Sequence, residues 1–193
     1  MTTGALTTDL KRSDMSTEDN KKSHAQRERG GTVLTNPATR GPFMENRVNL
    51  GKAAPELYQS IVNLDRLASE LAASAGIAEG LTHLLRLRAS QLNQCAYCVR
   101  LHTRDALASG ESSDRISVLP AWRETHYFND KERAAFALVE AVTLISDGQV
   151  ADSVYAEATA VLSDEEIAAI EWLGVAINAW NRIATPSRYP VKP

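Results

Sequence analysis

From Pro55 onward, apolar residues return every three or four positions. Leu57, Tyr58, Ile61, Leu64, Leu67, Ala68 and Leu71 fall along one stripe of a helix, the spacing that lets a helix bury a single face. Pro55 stands near the first turn, where its missing N–H removes no intrahelical bond. Leu81, Leu84, Leu85 and Leu92 predict a second helix ending near Asn93. A third follows, with Asn93 as its N-cap, running to about Ser109 and stopped by Gly110. Asn129 with Glu132 three residues later opens a helix carrying Phe136, Ala137, Glu140, Ala141 and Leu144. Ser163 with Glu166 is a cleaner capping box, ahead of Ile167, Ile170, Gly174, Ile177 and Trp180. A shorter helix is expected around residues 152–161. Strand-like alternation never runs beyond a few residues, and no repeat period is evident. The pattern predicts an all-α fold of about six or seven helices.

Residues 1–43 break this pattern. They are rich in Thr, Ser, Asp, Asn, Lys, Arg and Gly and show no apolar period, so they cannot bury enough surface to offset the entropy of ordering. They are read as a disordered extension, with a single domain over residues 44–193. The extension carries seven Lys and Arg against five acids, so it is +2, and the rest of the chain carries −5, for an overall −3. Met44 opens the domain and is a conceivable initiation site.

Charge and hydropathy then narrow the partners. The basic residues form no stripe that calls for nucleic acid or an anionic membrane surface. No apolar run is long enough to span a bilayer, and no apolar leader segment follows the N-terminal bases. The chain reads as cytoplasmic. In that reducing compartment a close pair of cysteines points to catalysis or metal binding before a structural disulfide.

The two cysteines of the chain stand three apart, in Cys95-Ala96-Tyr97-Cys98, with His102 four residues further on. On a helix, steps of three and four put both sulfurs and the imidazole on one face. A thiolate there is favoured by a nearby imidazolium or by the positive end of a helix dipole, and a second thiol in reach can close a disulfide. Those are the ingredients of peroxide or disulfide chemistry. Packing remains an alternative, since a free cysteine fills a core well. Zinc is another, because His83 on the preceding helix would complete two thiolates and two imidazoles. Three ligands from consecutive turns of one helix, however, present a tetrahedron poorly, and His83 alone reads as an ordinary surface or partly buried histidine. Arg86 and Arg88 read most simply as a solvated helix face, or as an electropositive contribution near the thiols. Trp122, Tyr127 and Phe128 read as core or subunit interface. His126 has no partner visible from sequence, and His24 lies in the extension. No Gly-rich phosphate loop or Ser/His/Asp arrangement is present.

The run from Leu84 through Cys95-Ala96-Tyr97-Cys98 to Ala106 closely resembles the alkylhydroperoxidase AhpD-like branch of the carboxymuconolactone decarboxylase superfamily. Lys52–Tyr58, Ala121–Glu124 and the 129–135 segment resemble the same branch, so the likeness covers about residues 44–185. It implies a compact all-α redox domain, assembled as a homo-oligomer (trimer or hexamer) and using no bound cofactor or metal. It also implies a thiol-dependent peroxidase acting on hydrogen peroxide or organic hydroperoxides, with an external dithiol or a thioredoxin-like or lipoyl protein as reductant. Carried over residue by residue, Cys98 is the attacking thiol, Cys95 the resolving thiol and His102 the proton-transfer partner. Where the family commonly has a relay glutamate, twelve residues before the first cysteine, this chain has His83. Imidazole also moves protons near neutral pH, so His83 is expected to join the relay with a shifted pH dependence. Two alternatives stand beside this reading: a decarboxylase of the carboxymuconolactone type, and a non-enzymatic redox-sensing or zinc-binding module.

Overall fold

The computed structural model describes residues 47–192. The expected disordered extension, Met44 and His24 lie outside them. Among the described residues there are eight α-helices and no strand: α1 (Leu50–Ala53), α2 (Pro55–Ser74), α3 (Glu79–Leu92), α4 (Ala96–Ala108), α5 (Ser113–Val118), α6 (Asp130–Thr143), α7 (Asp152–Thr159) and α8 (Asp164–Ala184). A 3₁₀ segment, Leu119–Glu124, joins α5 towards α6. The all-α expectation holds. The two helices that periodicity did not single out, α1 and α5, have four and six residues, too few to show a 3.6-residue repeat.

The helix starts follow their caps. Asn129 and Ser163 each accept from the N–H three residues on, and Glu132 and Glu166 reach back to the cap N–H groups. Pro55 opens α2. At the other end of α4, Gly110 adopts φ +90°. Its N–H and that of Glu111 then bond the carbonyls of Leu107 and Ala106, the left-handed stop that only glycine adopts without strain.

The core lies between α3, α6 and α8, where Leu84, Leu85, Leu87, Phe136, Leu138 and Leu173 are fully buried. Trp122 and Phe128 pack on Phe136 with ring centroids 5.8 and 5.0 Å away, as expected of that aromatic stretch, while Tyr127 stays exposed. Gly174 lets α6 approach α8 closely, since a Cβ there would stand 3.0 Å from Val142 Cγ1. The helix α3 also pairs with α4, and α2 covers α8. This frame presents the α3–α4 junction, where the cysteines sit, to the flank of α8.

One expectation about that junction is corrected. Asn93 does not cap α4; it ends α3, and Cys95 is the N-cap residue of α4. The Asn93 amide instead donates to Asn178 Oδ1 (3.0 Å) and Asn181 Oδ1 (2.8 Å) on α8. Tying the turn to a buried neighbour outcompetes a local cap because a buried amide must find partners.

Candidate active site

The short turn between α3 and α4 places the first thiol. Gln94 takes a left-handed φ of 53°, and the Cys95 N–H bonds back to the Ser90 carbonyl at 3.0 Å. Ser90 Oγ in turn accepts from Asn181 at 3.1 Å. Cys95 therefore stands at the N-cap and Cys98 in the first turn of α4, both buried, with their sulfurs 2.6 Å apart. At that end of the helix, unpaired N–H groups and the helix dipole favour negative sulfur.

The two thiols take one charge between them. Hydrogen bonding from the Cys98 thiol is the chief cause that draws the Cys95 pKa down to about 6; burial opposes it, and the Cys98 amide, Thr185 and Asn181 assist. The same contact, with burial and the adjacent Cys95 charge, pushes the Cys98 thiol up. A dithiol at this separation loses a first proton easily and a second one with difficulty.

Access belongs to the other sulfur. A cavity of about 270 Å³ opens beside α2, α4 and α8, and Cys98 and His102 line it while Cys95 does not. Its walls are largely aromatic. Tyr58 meets Trp180 edge-on at 5.1 Å and Tyr97 meets Tyr189 edge-on at 5.3 Å. Burial, aided by Tyr58 and Tyr97, raises the Tyr189 phenol above its ordinary range, so Tyr189 enters as a neutral wall.

His102 is buried, and its Nδ1 has no hydrogen-bond partner. Burial chiefly, with the Arg86 cation and His83, lowers its pKa to about 3. Its 3.8 Å approach to Asp105 Oδ2 is therefore a contact of a neutral ring, too long for a hydrogen bond. A neutral imidazole can accept a proton. His83 is partly buried, and its ring stacks on His102 with centroids 5.7 Å apart. Its pKa is also lowered by burial, against the pull of Asp105, and its Nδ1 is likewise unpartnered.

The arginines correct a further expectation. Arg86 is buried, not solvated, and its Nη2 bonds Asp65 Oδ1 at 2.8 Å and Ser69 Oγ at 2.7 Å, fixing α3 to α2. Its charge acts on both histidines and is not among the main causes that shift the thiols. Arg88 pairs with Glu140 at 2.5 Å. His126 is exposed, apart from these groups.

Four tetrahedral ligands from the cysteines and histidines do not gather here. Among the described residues, the donor set within mutual reach, all within 4.8 Å, is His83, His102 and Asp105, and neither cysteine belongs to it. Asp105 was legible as a neighbour of His102 from its i+3 spacing on α4. Trp180, Asn181 and Thr185 carried no comparable signal, since α8 is some eighty residues away and only the folded chain brings it here.

The comparisons agree with this architecture. A model described as the carboxymuconolactone decarboxylase family matches residues 55–141. The chain is 32% identical over 141 residues to the uncharacterized protein YdfG of Bacillus subtilis (strain 168), covering 73% of this chain and 93% of that one. It is also 36% identical, with a TM-score of 0.69, to the crystal structure of ATU0492 from Agrobacterium tumefaciens, covering 77% of this chain and all of that one. ATU0492 is a protein of unknown function with a suggested role as the antioxidant defence protein AhpD. The chain belongs to the carboxymuconolactone decarboxylase family, as an AhpD-like member.

Proposed function

We propose that the protein is a thiol-dependent peroxidase that reduces hydrogen peroxide or organic hydroperoxides through a Cys95/Cys98 dithiol–disulfide cycle. The observation that carries this reading is the adjacency of two sulfurs, 2.6 Å apart, of which one lines an aromatic cavity together with a neutral histidine. In the resting pair the charge favours Cys95 and the access favours Cys98. Moving the Cys98 proton to Cys95 or, directly or through water, to His102 one turn on puts a thiolate where a peroxide can reach it. The Cys98 thiolate attacks one peroxide oxygen, the O–O bond breaks, and the leaving alkoxide or hydroxide takes up that proton. Cys98 is then a sulfenic acid. Cys95, as thiolate, attacks the Cys98 sulfur, expels water with one further proton, and forms the disulfide. Two electrons pass from the dithiol to the peroxide, and an external dithiol or a thioredoxin-like or lipoyl protein returns them. His83, standing where the family resemblance implies a relay glutamate, hands protons between His102 and solvent.

Other features fit the same reading. No helix among the described residues is long and apolar enough to cross a membrane, and a cycle that needs continual reduction suits the cytoplasm. Leu57, Leu67, Trp172 and Val175 leave apolar surface exposed on α2 and α8, which suits assembly into a homo-oligomer.

The test is a thiol count on the reduced protein before and after one equivalent of peroxide. Loss of two thiols per chain is expected in the wild type, and a sulfenic acid on Cys98 in Cys95→Ser. Cys98→Ser should lower peroxide consumption by at least about 10³-fold, as removal of a nucleophile does. Mass spectrometry finding first oxidation at Cys95 would reverse the two roles. Two free thiols surviving the peroxide would sink the reading.

A further inference from the structure

The unpartnered nitrogens of His83 and His102 suggest a second use for this corner of the site. We infer that His83, His102 and Asp105 form a binding site for a zinc-class divalent cation, whose occupancy takes His102 out of proton transfer. The donors are two imidazoles and one carboxylate, a set that suits zinc with a position left open. Their ligand atoms already lie within 4.8 Å of one another, and His102 Nδ1 stands 3.8 Å from Asp105 Oδ2. Zinc–ligand bonds of about 2.1 Å in a tetrahedron separate ligands by about 3.4 Å, so the site closes by small side-chain shifts. His102 Nδ1 and His83 Nδ1 are buried without a hydrogen bond, and buried polar atoms in that state await a partner. Asp105 is partly exposed and gives the ion a way in.

Local charge at His83 favours a cation, with Asp105, Glu79 and Asp65 near it. Arg86 opposes it, but Arg86 is paired with Asp65 at 2.8 Å, and Glu79 stands 4.0 Å from His83 Nε2. With Asp105, three carboxylates face one guanidinium. An ion on His102 Nδ1 leaves the ring's other nitrogen protonated, a donor that cannot accept the Cys98 proton. This inhibitory consequence rests on the peroxidase reading; the binding does not.

The experiment titrates Co²⁺, then competing Zn²⁺, into the reduced, tag-free, chelator-stripped full chain, followed by visible absorption and calorimetry. One ion per chain is expected. Asp105→Asn and His83→Gln should each weaken binding at least tenfold, with helical circular dichroism checking that both fold, while Cys95→Ser/Cys98→Ser binds as the wild type does. A sulfur-to-cobalt charge-transfer band that disappears in the cysteine double variant would overturn the site, and so would affinity unchanged by both substitutions or no binding at millimolar Co²⁺. Zinc at saturation should slow peroxide-driven thiol loss at least tenfold. Binding without slowing would overturn the inhibitory role alone, and binding to a chain that never reacts with peroxide would overturn the peroxidase reading alone.

Discussion

Two buried polar clusters sit within this helical domain, and they are built on opposite terms. Around Glu140 every group is matched: one carboxylate oxygen accepts from Arg88 Nε at 2.5 Å and Trp122 Nε1 at 2.8 Å, the other from Arg123 Nη1 at 2.7 Å. Burial raises the Glu140 pKa, but the bonds from Trp122, Arg123 and Arg88 outweigh it and hold the carboxyl below its ordinary value. Around the thiols the matching is incomplete. His83 Nδ1, His102 Nδ1 and Arg86 Nε are buried and unpartnered, and two thiols compete for one charge. A satisfied cluster has no reason to react, because any change forfeits a bond already made. An unsatisfied one is held in place by the surrounding fold and keeps its lone pairs and protons available for a substrate.

The largest expected effect breaks the matched cluster. Glu140→Ala leaves Arg88 buried without its carboxylate and removes the side-chain bonds that Trp122 and Arg123 make to α6, and loss of one partner of a buried pair costs about 3 kcal/mol. Urea unfolding should show this as a lower midpoint. The surviving folded fraction should react with peroxide at the wild-type rate, since Glu140 lines no part of the thiol cavity. A stability change under about 1 kcal/mol would contradict the assignment of Glu140 as the pin that joins α3, the 3₁₀ segment and α6.

The complementary change relieves the unmatched cluster. His102→Leu removes a buried nitrogen that has no partner and keeps the side chain apolar, so stability should hold or rise by about 1 kcal/mol. The peroxide reaction should fall by about 10²-fold, the scale of a lost proton-transfer group. Thermal unfolding and stopped-flow thiol oxidation on the same preparation read both numbers. If His102→Leu destabilises and leaves the rate alone, His102 is a core residue and the contrast between the clusters fails.

What the sequence made legible divides along the same line. Features written in local spacing were readable: the Asn129 and Ser163 capping boxes, the Gly110 stop, and the three-then-four spacing of Cys95, Cys98 and His102. Features made by distant partners were not. Asn93 has the chemistry of a cap, but Asn178 and Asn181 on α8 claim its amide, and no local pattern records that competition. Arg86 resembles a surface residue until Asp65 and Ser69, twenty-one and seventeen residues back, draw it inside. The adjacency of the thiols was thus visible early. The cavity that gives access to one of them depends on Tyr58, Trp180 and Tyr189, which meet only in the folded chain.

The smallest effect isolates the charge shared by the sulfurs. Cys95 has a folded pKa of about 6, below its ordinary value. Between about pH 6 and the unfolded cysteine value near 8.5, the unfolded chain therefore binds more protons at this position than the folded one does. Stability of the reduced protein should consequently rise with pH through that window, be fully present above it, and fade as pH falls through about 6, with a slope under about 1.4 kcal/mol per pH unit. Cys98 works in the opposite direction at higher pH, because its folded pKa is raised and the unfolded state then sheds its proton first. The reduced wild type should thus gain about 1 kcal/mol between pH 6.5 and 7.5 and lose its advantage in alkali. Cys95→Ser should flatten the rise. Urea unfolding at matched ionic strength, with thiolate absorbance read alongside, separates the two sulfurs. A rise that persists in Cys95→Ser and vanishes in Cys98→Ser would move the resting charge onto the sulfur that lines the cavity, and would remove the need for the opening proton transfer.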